Sequence, residues 1–204
     1  MVLYLIIIGV CTALIAVPNC IFRPGGEPWW LYLVMTIGAV IASLLIDGLV
    51  AFIGRRLPKR WMDPNKKIFT TSKGEMKFYE AIGVKKWKDK VPELGGFTSF
   101  HKNKLADPWN LEYVERYMLE ACYGVIIHLF SPIFAYLIVL MDFKMYLGWS
   151  WMWLTIMIPV ATVNAILIVL PAFILKYNIP KLKMLWDINM QNKKRREEQE
   201  GPLF

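Results

Sequence analysis

The sequence predicts an all-α integral membrane protein with four transmembrane helices and a basic amphipathic interfacial segment in the cytoplasmic loop. Three observations predict this class. Of 204 residues, 56% are hydrophobic and only 20% are charged, which is too little polar surface to cover a soluble fold of this size. The apolar residues are gathered into long runs, and nearly all cationic residues fall on one predicted side of the bilayer.

The apolar runs define the candidate spans. A helix needs about 20 residues to cross a bilayer, so the first and shortest run is expected to extend through Phe22. We expect a single membrane domain over residues 1–204, with spans at about 2–22, 29–53, 121–141 and 147–175, a loop at 54–120 and a tail at 176–204. Residues 1–17 have no positively charged start and no small-residue cleavage site after them, so we interpret them as a retained span and not as a secretion signal.

The distribution of positive charge predicts the topology. The loop 54–120 carries 15 Lys and Arg and the tail carries 7, which is 22 of the 24 in the chain. The positive-inside rule places both segments in the cytoplasm, and four spans then place the N-terminus there as well. We therefore expect a multi-pass protein of the cell membrane. The net charge of +8 is explained by this topology, and nucleic acid is not an expected partner.

The cysteines indicate neither a disulfide nor a metal site. Cys11, Cys20 and Cys122 are an odd number without CxxC spacing, and thiols within spans are ordinary packing residues. Sequence signatures of nucleotide-binding loops, serine hydrolases and zinc proteases are missing as well. His101 and Asp107 are separated by five residues, which does not match the His-x4-Asp spacing of glycerolipid acyltransferases.

The loop contains a segment with two different faces, Glu75–Val91. An apolar side and a lysine-rich side are expected if it forms a helix, which Pro92–Gly96 would then end. Such a segment is predicted to lie in the headgroup region. Two interpretations stay open, electrostatic anchoring to anionic lipid and binding of an anionic substrate headgroup; the candidate residues for the second are Lys85, Trp87, Lys88 and Lys90.

The third span is predicted to begin before the membrane. From Asn110 an apolar stripe continues toward Val125 while Glu112, Glu115 and Glu120 stay on the same helix. Asp107 and Pro108 match the residue types of an N-cap and a first helical position. One long helix is therefore expected to rise from the loop into the bilayer.

Polar side chains within the spans are candidates for function because they are costly to place there. Asp47 lies in the second span and Asn164 in the fourth, while Glu120 and His128 lie on the third. Eight residues of helix bring His128 to within roughly 80° of Glu120, with Gly124 between them leaving room for a ligand or a neighbouring helix. Either these groups hydrogen-bond one another and hold the helices together, or His128 acts as a general base oriented by a carboxylate.

Several of these residues occur in the order found in one family. The segments are Trp87-Lys88-Asp89-Lys90, then Glu115 and Glu120 leading to Ile127-His128, then Asn164, and finally Lys176-Tyr177-Asn178-Ile179-Pro180-Lys181-Leu182. In these segments the chain resembles glycosyl-4,4′-diaponeurosporenoate acyltransferase, the staphyloxanthin-pathway enzyme, and its bacterial relatives. The resemblance extends from about Phe78 to Leu185, and the basic-Tyr-Asn-x-Pro-basic-Leu motif is its most specific part.

The resemblance implies a membrane-embedded transfer of a fatty acyl group to a hydroxyl of a glycolipid or glycosylated isoprenoid such as a carotenoid. His128 would be the base, with Glu120 or Glu115 orienting it. Lys85, Lys88 or Lys90 would meet the anionic donor, and Asn164, Lys176, Tyr177 and Asn178 would complete the substrate site. No resident cofactor or metal is implied; an acyl thioester or a phospholipid would be the co-substrate. The expected partners are membrane lipids with anionic headgroups, and a membrane protein or a second copy of the chain.

One departure from the family motif keeps a second function open. The family helix reads Glu-x-x-Arg-Ala-Glu-x-x-His, and this chain has Tyr123 and Val125 at the positions of the arginine and the second glutamate. The alternative is therefore a non-catalytic lipid-binding membrane protein, or a subunit of a larger membrane complex. A small transporter or channel is a third class, which the few charges within the spans do not favour.

Overall fold

The computed structural model describes residues 2–91, 105–142 and 150–200. Within these ranges the regular structure is helical and contains no strand. The α-helices are α1 (Val2–Phe22), α2 (Trp29–Gly54), α3 (Lys73–Ala81), α4 (Val84–Trp87), α5 (Leu111–Ala135) and α6 (Ile158–Glu200). Short 3-10 helices cover Lys59–Trp61 and Tyr136–Met141, and a π-helix covers Trp153–Met157.

Four of these helical segments are long and apolar enough to cross a membrane, which confirms the predicted fold class. They are Val2–Phe22, Trp29–Gly54, Leu111–Met141 and Trp153–Gln199. The third begins well before its apolar part, as the apolar stripe from Asn110 predicted. The chain is therefore a multi-pass membrane protein.

The chain divides into two compact units. The first unit comprises Met1–Arg56 and Ile127–Leu170, and the second comprises Leu57–Ile126 and Pro171–Phe204. The first unit is built around a buried cluster that includes Tyr32, Ala39, Ile138 and Ile156. In this cluster Tyr32 is fully buried, and its hydroxyl donates a hydrogen bond to the carbonyl of Pro24, 2.8 Å away.

The second unit packs α3 and α4 against the middle of α6. Its buried cluster contains Tyr79, Val84, Ile174 and Tyr177. The rings of Tyr79 and Phe173 lie 5.6 Å apart, and burial raises the pKa of the Tyr79 phenol to about 12. An aromatic layer therefore joins the long polar loop to α6.

Two predictions about the loop need correction. The segment Glu75–Val91 is not one helix, because α3 ends at Ala81 and Gly83 adopts a left-handed conformation with φ of 68° before α4 begins. Glycine adopts that conformation at no steric cost. Asp107 is not the N-cap of α5, since the side chain of Asn110 accepts the backbone N–H of Tyr113 at 3.1 Å and caps the helix three residues later.

Helix α6 continues far beyond the apolar run that predicted the fourth span. It includes Pro171 and Pro180 and ends at Glu200, and the π-helix ends directly before it, next to Pro159. A proline inside a helix leaves the carbonyl four residues earlier without its usual donor. The predicted break at Pro92–Gly96, the outer turn beyond Asp142 and the ending Gly201–Phe204 lie outside the described residues.

Candidate functional site

Of the three residues predicted to be catalytic, two belong to the second unit and one to the first. Glu115 is exposed on α5, and Glu120, five residues later, is half-buried. His128 lies in the first unit, where α5 passes α6. The surroundings of the His128 imidazole are therefore those of the first unit.

The two ring nitrogens of His128 have different surroundings. Nδ1 is buried and has no hydrogen-bond partner, while the ring hydrogen-bonds to the backbone of Ile168. The bond is therefore made by Nε2, which donates to the Ile168 carbonyl, and in a neutral imidazole the lone pair then lies on Nδ1. This hydrogen bond assigns the tautomer and leaves a basic nitrogen without any competing donor.

Asn164 lies one helical turn before Ile168 and is paired with the carboxylate of Asp47. Its Nδ2 donates to Oδ2 of Asp47 at 2.9 Å, although the two residues are 117 positions apart. Polar groups within the spans were expected either to hydrogen-bond one another or to serve catalysis. Asn164 and Asp47 hydrogen-bond each other. The other carboxylate oxygen, Oδ1, is buried without a partner, so the pair is not fully satisfied.

Gly124 accommodates a neighbouring helix. A Cβ atom at this position would lie 2.6 Å from Cδ1 of Leu175, which is closer than two carbon atoms approach each other. Gly124 was expected to leave room for a ligand or for a neighbouring helix; the space is filled by Leu175 of α6. The close approach brings α5 against α6 within the second unit.

Lys176 and Tyr177, both predicted to bind substrate, are buried in the second unit. The ammonium of Lys176 forms an ion pair with the carboxylate of Glu75, and this bond holds the pKa of Glu75 below its ordinary value. Nζ of Lys181 lies 3.5 Å above the ring of Tyr177. Asn178 is half-buried on the next position of the helix.

The four candidate residues of the loop are not equivalent. Lys85 and Lys90 are exposed and Lys88 is half-buried. The indole of Trp87 donates to the carbonyl of Ile82 at 2.9 Å, and its ring packs against the cluster that contains Tyr177. The structure thus brings Trp87 and Tyr177 together, and leaves Lys85 and Lys90 at the surface.

Two polar residues of the sites are not marked by the sequence: Glu75, which pairs with Lys176, and Ser43, which lines the same cavity as Asn164. In the sequence Glu75 is only the start of the amphipathic segment, and its partner Lys176 is 101 residues away. Ser43 lies one turn before Asp47 on the same face of α2. Its position four residues from an intramembrane carboxylate was the available signal. Among the described residues no group of three or more His, Cys, Asp or Glu side chains is placed to hold a metal ion.

Comparison with known protein families finds a match. The sequence model of the family described as glycosyl-4,4′-diaponeurosporenoate acyltransferase matches residues 58–188. The match includes α3 to α5 and most of α6, and excludes α1 and α2. Searches of curated proteins and of solved structures each find no match.

Proposed function

Because the chain belongs to the glycosyl-4,4′-diaponeurosporenoate acyltransferase family, we propose that it moves a fatty acyl group onto a hydroxyl of a glycolipid or glycosylated isoprenoid in the membrane. Family membership supports an acyltransferase activity in general. The observation that supports a site in this chain is the unpartnered Nδ1 of His128. A nitrogen in this state has the lone pair that a general base needs.

In the proposed reaction His128 moves one proton. Nδ1 takes the proton from the acceptor hydroxyl as the hydroxyl oxygen attacks the acyl carbonyl. The new ester bond forms, the bond from the acyl carbon to the donor's leaving group breaks, and the leaving group takes the proton from His128. The Ile168 carbonyl holds the ring through Nε2 during this cycle, and it stabilises the imidazolium as a hydrogen-bond acceptor. Because Nδ1 is shielded, neighbouring side chains have to move when the acceptor binds.

The remaining predicted residues, apart from Asn164, whose amide is paired with Asp47, are proposed to bind the substrates. Glu115 and Glu120 were expected to orient His128, but the ring bonds to the Ile168 backbone; we propose instead that they accept hydrogen bonds from sugar hydroxyls of the acceptor. Lys85, Lys88 and Lys90 attract an anionic donor or the anionic headgroups around it. Trp87 and Tyr177 pack in one cluster below these lysines. Lys176 and Asn178 are proposed to complete the same binding surface.

The decisive experiment measures acyl transfer from a labelled donor to a glycolipid acceptor in reconstituted membranes. We expect His128→Ala to lower turnover about 10²-fold, the usual scale for a general base. His128→Gln is the matched variant, since its amide N–H can still donate to the Ile168 carbonyl but the amide cannot act as a base. Both variants should lose activity, and His128→Gln should keep the thermal stability of the wild type. Wild-type turnover in either variant would leave His128 as a structural residue.

A second measurement separates binding from chemistry. Lys88→Ala should raise the apparent KM for an anionic donor with little change in kcat, because a peripheral cation attracts the donor equally in the ground and transition states. Lys194→Ala removes the same charge from an exposed position near the end of α6 and should change neither constant. A lower kcat in Lys88→Ala would instead place this lysine in the chemical step.

One observation favours the second candidate, a non-catalytic lipid-binding membrane protein or a subunit of a larger complex. The family arginine and second glutamate are replaced by two packing residues: the hydroxyl of Tyr123 donates to the carbonyl of Leu57 at 2.8 Å, and Val125 is fully buried. If reconstituted wild-type protein binds the glycolipid but transfers no acyl group from thioester or phospholipid donors, this candidate replaces the first.

A further inference from the structure

Ser43 is a buried serine whose hydroxyl has no partner. The residue is 2% exposed, and Oγ makes no hydrogen bond. A helical serine or threonine usually donates to the carbonyl four residues earlier, and two threonines of the same unit do so: Thr12 donates to Ile8 and Thr36 donates to Tyr32, each at 2.7 Å. Ser43 therefore has a free hydroxyl donor at a buried position.

The Ser43 side chain lines a cavity between α1, α2 and α6 of the first unit. The cavity has a volume of about 30 Å³ and is not fully enclosed. Its polar lining consists of Cys11, Thr12, Ser43 and Asn164. The Thr12 hydroxyl is already donated to Ile8, and the Cys11 thiol is only a weak donor. A space of this size holds one water-sized group, so it suits a single hydroxyl.

Asp47 determines how the Asn164 amide is oriented. An ionised carboxylate only accepts hydrogen bonds. The amide nitrogen of Asn164 therefore faces Asp47, and Nδ2 lies 2.9 Å from Oδ2. The carbonyl oxygen of Asn164 is then turned away from Asp47 and stays an acceptor. The cavity thus combines one donor, Ser43, with one acceptor, Asn164, and Asp47 acts as a positioning residue.

The rest of the lining is aliphatic. Side chains such as Val40, Leu44 and Val163 surround the two polar groups. Leu44 is 44% exposed, so the cavity reaches the surface of α2 that the predicted span would present to hydrocarbon. A ligand that enters from that side needs an apolar chain and, at its end, one group that both donates and accepts.

We propose that this cavity binds the terminal hydroxyl of a neutral aliphatic alcohol, with Ser43 donating to the hydroxyl oxygen and the Asn164 carbonyl accepting its proton. The hydroxyl satisfies both polar groups, and the chain lies against the aliphatic walls. The competing occupant is a water molecule. It would make the same two hydrogen bonds, but it would not fill the opening beside Leu44. The proposal does not depend on the acyl-transfer reaction, and two of its three helices, α1 and α2, lie outside the family match.

The test uses a photoreactive twelve-carbon alcohol, with a diazirine beside the hydroxyl end, in bilayers that contain the full chain. Adducts are mapped by mass spectrometry, and either 1-dodecanol or n-dodecane is added as competitor. We expect adducts on the residues that line the cavity, and competition by dodecanol but not by dodecane. Adducts elsewhere, or equal competition by the hydrocarbon, would overturn the proposal, because the hydroxyl would then contribute nothing or the cavity would hold only water.

Two variants of α2 make the test specific. Ser43→Ala removes the donor, and the potency of dodecanol as a competitor should fall about fivefold, the value of one ordinary hydrogen bond. Thr36→Ala removes a hydroxyl from the same helix that is already bonded to Tyr32 and does not line the cavity, so dodecanol should keep its potency. Unchanged competition in Ser43→Ala would show that Ser43 does not bind the hydroxyl, and the proposal would fall.

Discussion

The hydroxyl of Thr71 donates a hydrogen bond to the backbone carbonyl of Lys176, 2.7 Å away. That carbonyl lies four residues before Pro180, which has no N–H to offer it. In the first unit the Asn19 amide likewise donates at 3.0 Å to a backbone carbonyl of another helix, that of Thr155 in the π-helix. In both units a side chain from a distant part of the chain bonds to the backbone of a helix, and at Lys176 it takes the place of the donor that Pro180 lacks.

Replacing Thr71 by alanine should lower the stability of the second unit by about 1 kcal/mol. The Lys176 carbonyl would lose its donor in a partly buried place, and hydrogen bonds of this kind contribute about that much. Thermal unfolding of the purified protein in detergent measures the effect.

Pro180→Ala provides the control for Thr71, because alanine supplies the N–H that the Lys176 carbonyl lacks. In that background Thr71→Ala should cost clearly less than in the wild type. An equal cost in both backgrounds would mean that the Thr71 hydroxyl stabilises the unit through some other contact.

Replacing Glu75 by glutamine should destabilise the second unit by about 1–2 kcal/mol. The Lys176 ammonium, whose side chain is 11% exposed, would lose the negative charge paired with it. The figure lies below that of a fully buried ion pair because the side chain of Glu75 is 38% exposed and its interaction is screened. Glu80→Gln, an exposed glutamate of the same helix, should have no such effect.

The contribution of Glu75 should also depend on pH. The hydrogen bond from Lys176 lowers the pKa of Glu75 below its ordinary value of 4.5, so the pair contributes fully above that pH and its contribution is lost as pH falls through the lowered value. The difference in Tm between wild type and Glu75→Gln should therefore stay constant from neutral pH down to about 5 and shrink below 4.5. A difference that grows in acid would contradict this ion pair.

Replacing Gly124 by alanine should cost about 1–3 kcal/mol, the usual range for overpacking, because the new Cβ would meet Leu175 at 2.6 Å. Gly48→Ala adds the same methyl group to α2 where nothing lies within 4 Å and should be close to neutral. Thermal unfolding compares the two variants. Adding Leu175→Ala to Gly124→Ala should recover part of the loss; if it does not, the two helices do not touch at this glycine.

The orientation in the membrane is a separate prediction. The test uses two variants, Lys73→Cys in the loop and Lys144→Cys between the last two spans. An impermeant maleimide should label them from opposite faces of sealed membranes. The expectation follows from the 22 of 24 cationic residues on one predicted side. Mass spectrometry of the labelled peptides distinguishes these sites from the native cysteines. Labelling of both positions from the same face would refute the proposed topology.

The spans and the class of the protein were predictable from the sequence because they depend on local composition. A run of about 20 apolar residues needs a helix to satisfy its backbone in hydrocarbon whatever the rest of the chain does. The family was predictable for a related reason, since motifs such as Trp87-Lys88-Asp89-Lys90 are continuous stretches of sequence. Two details of local conformation differed from the prediction. Gly83 divides the segment that was predicted to be one helix, and Asn110, not Asp107, caps α5.

The candidate sites depended on the tertiary structure. Asp47 and Asn164 each stood out as polar residues in apolar helices, but only the packing of α2 against α6 made them partners across 117 positions. His128 was recognisable as a candidate base, yet the acceptor that orients it is the backbone carbonyl of Ile168. Every residue has such a carbonyl, so no side chain marks it in a sequence. Which carbonyl meets the His128 ring is decided only when two helices pack together.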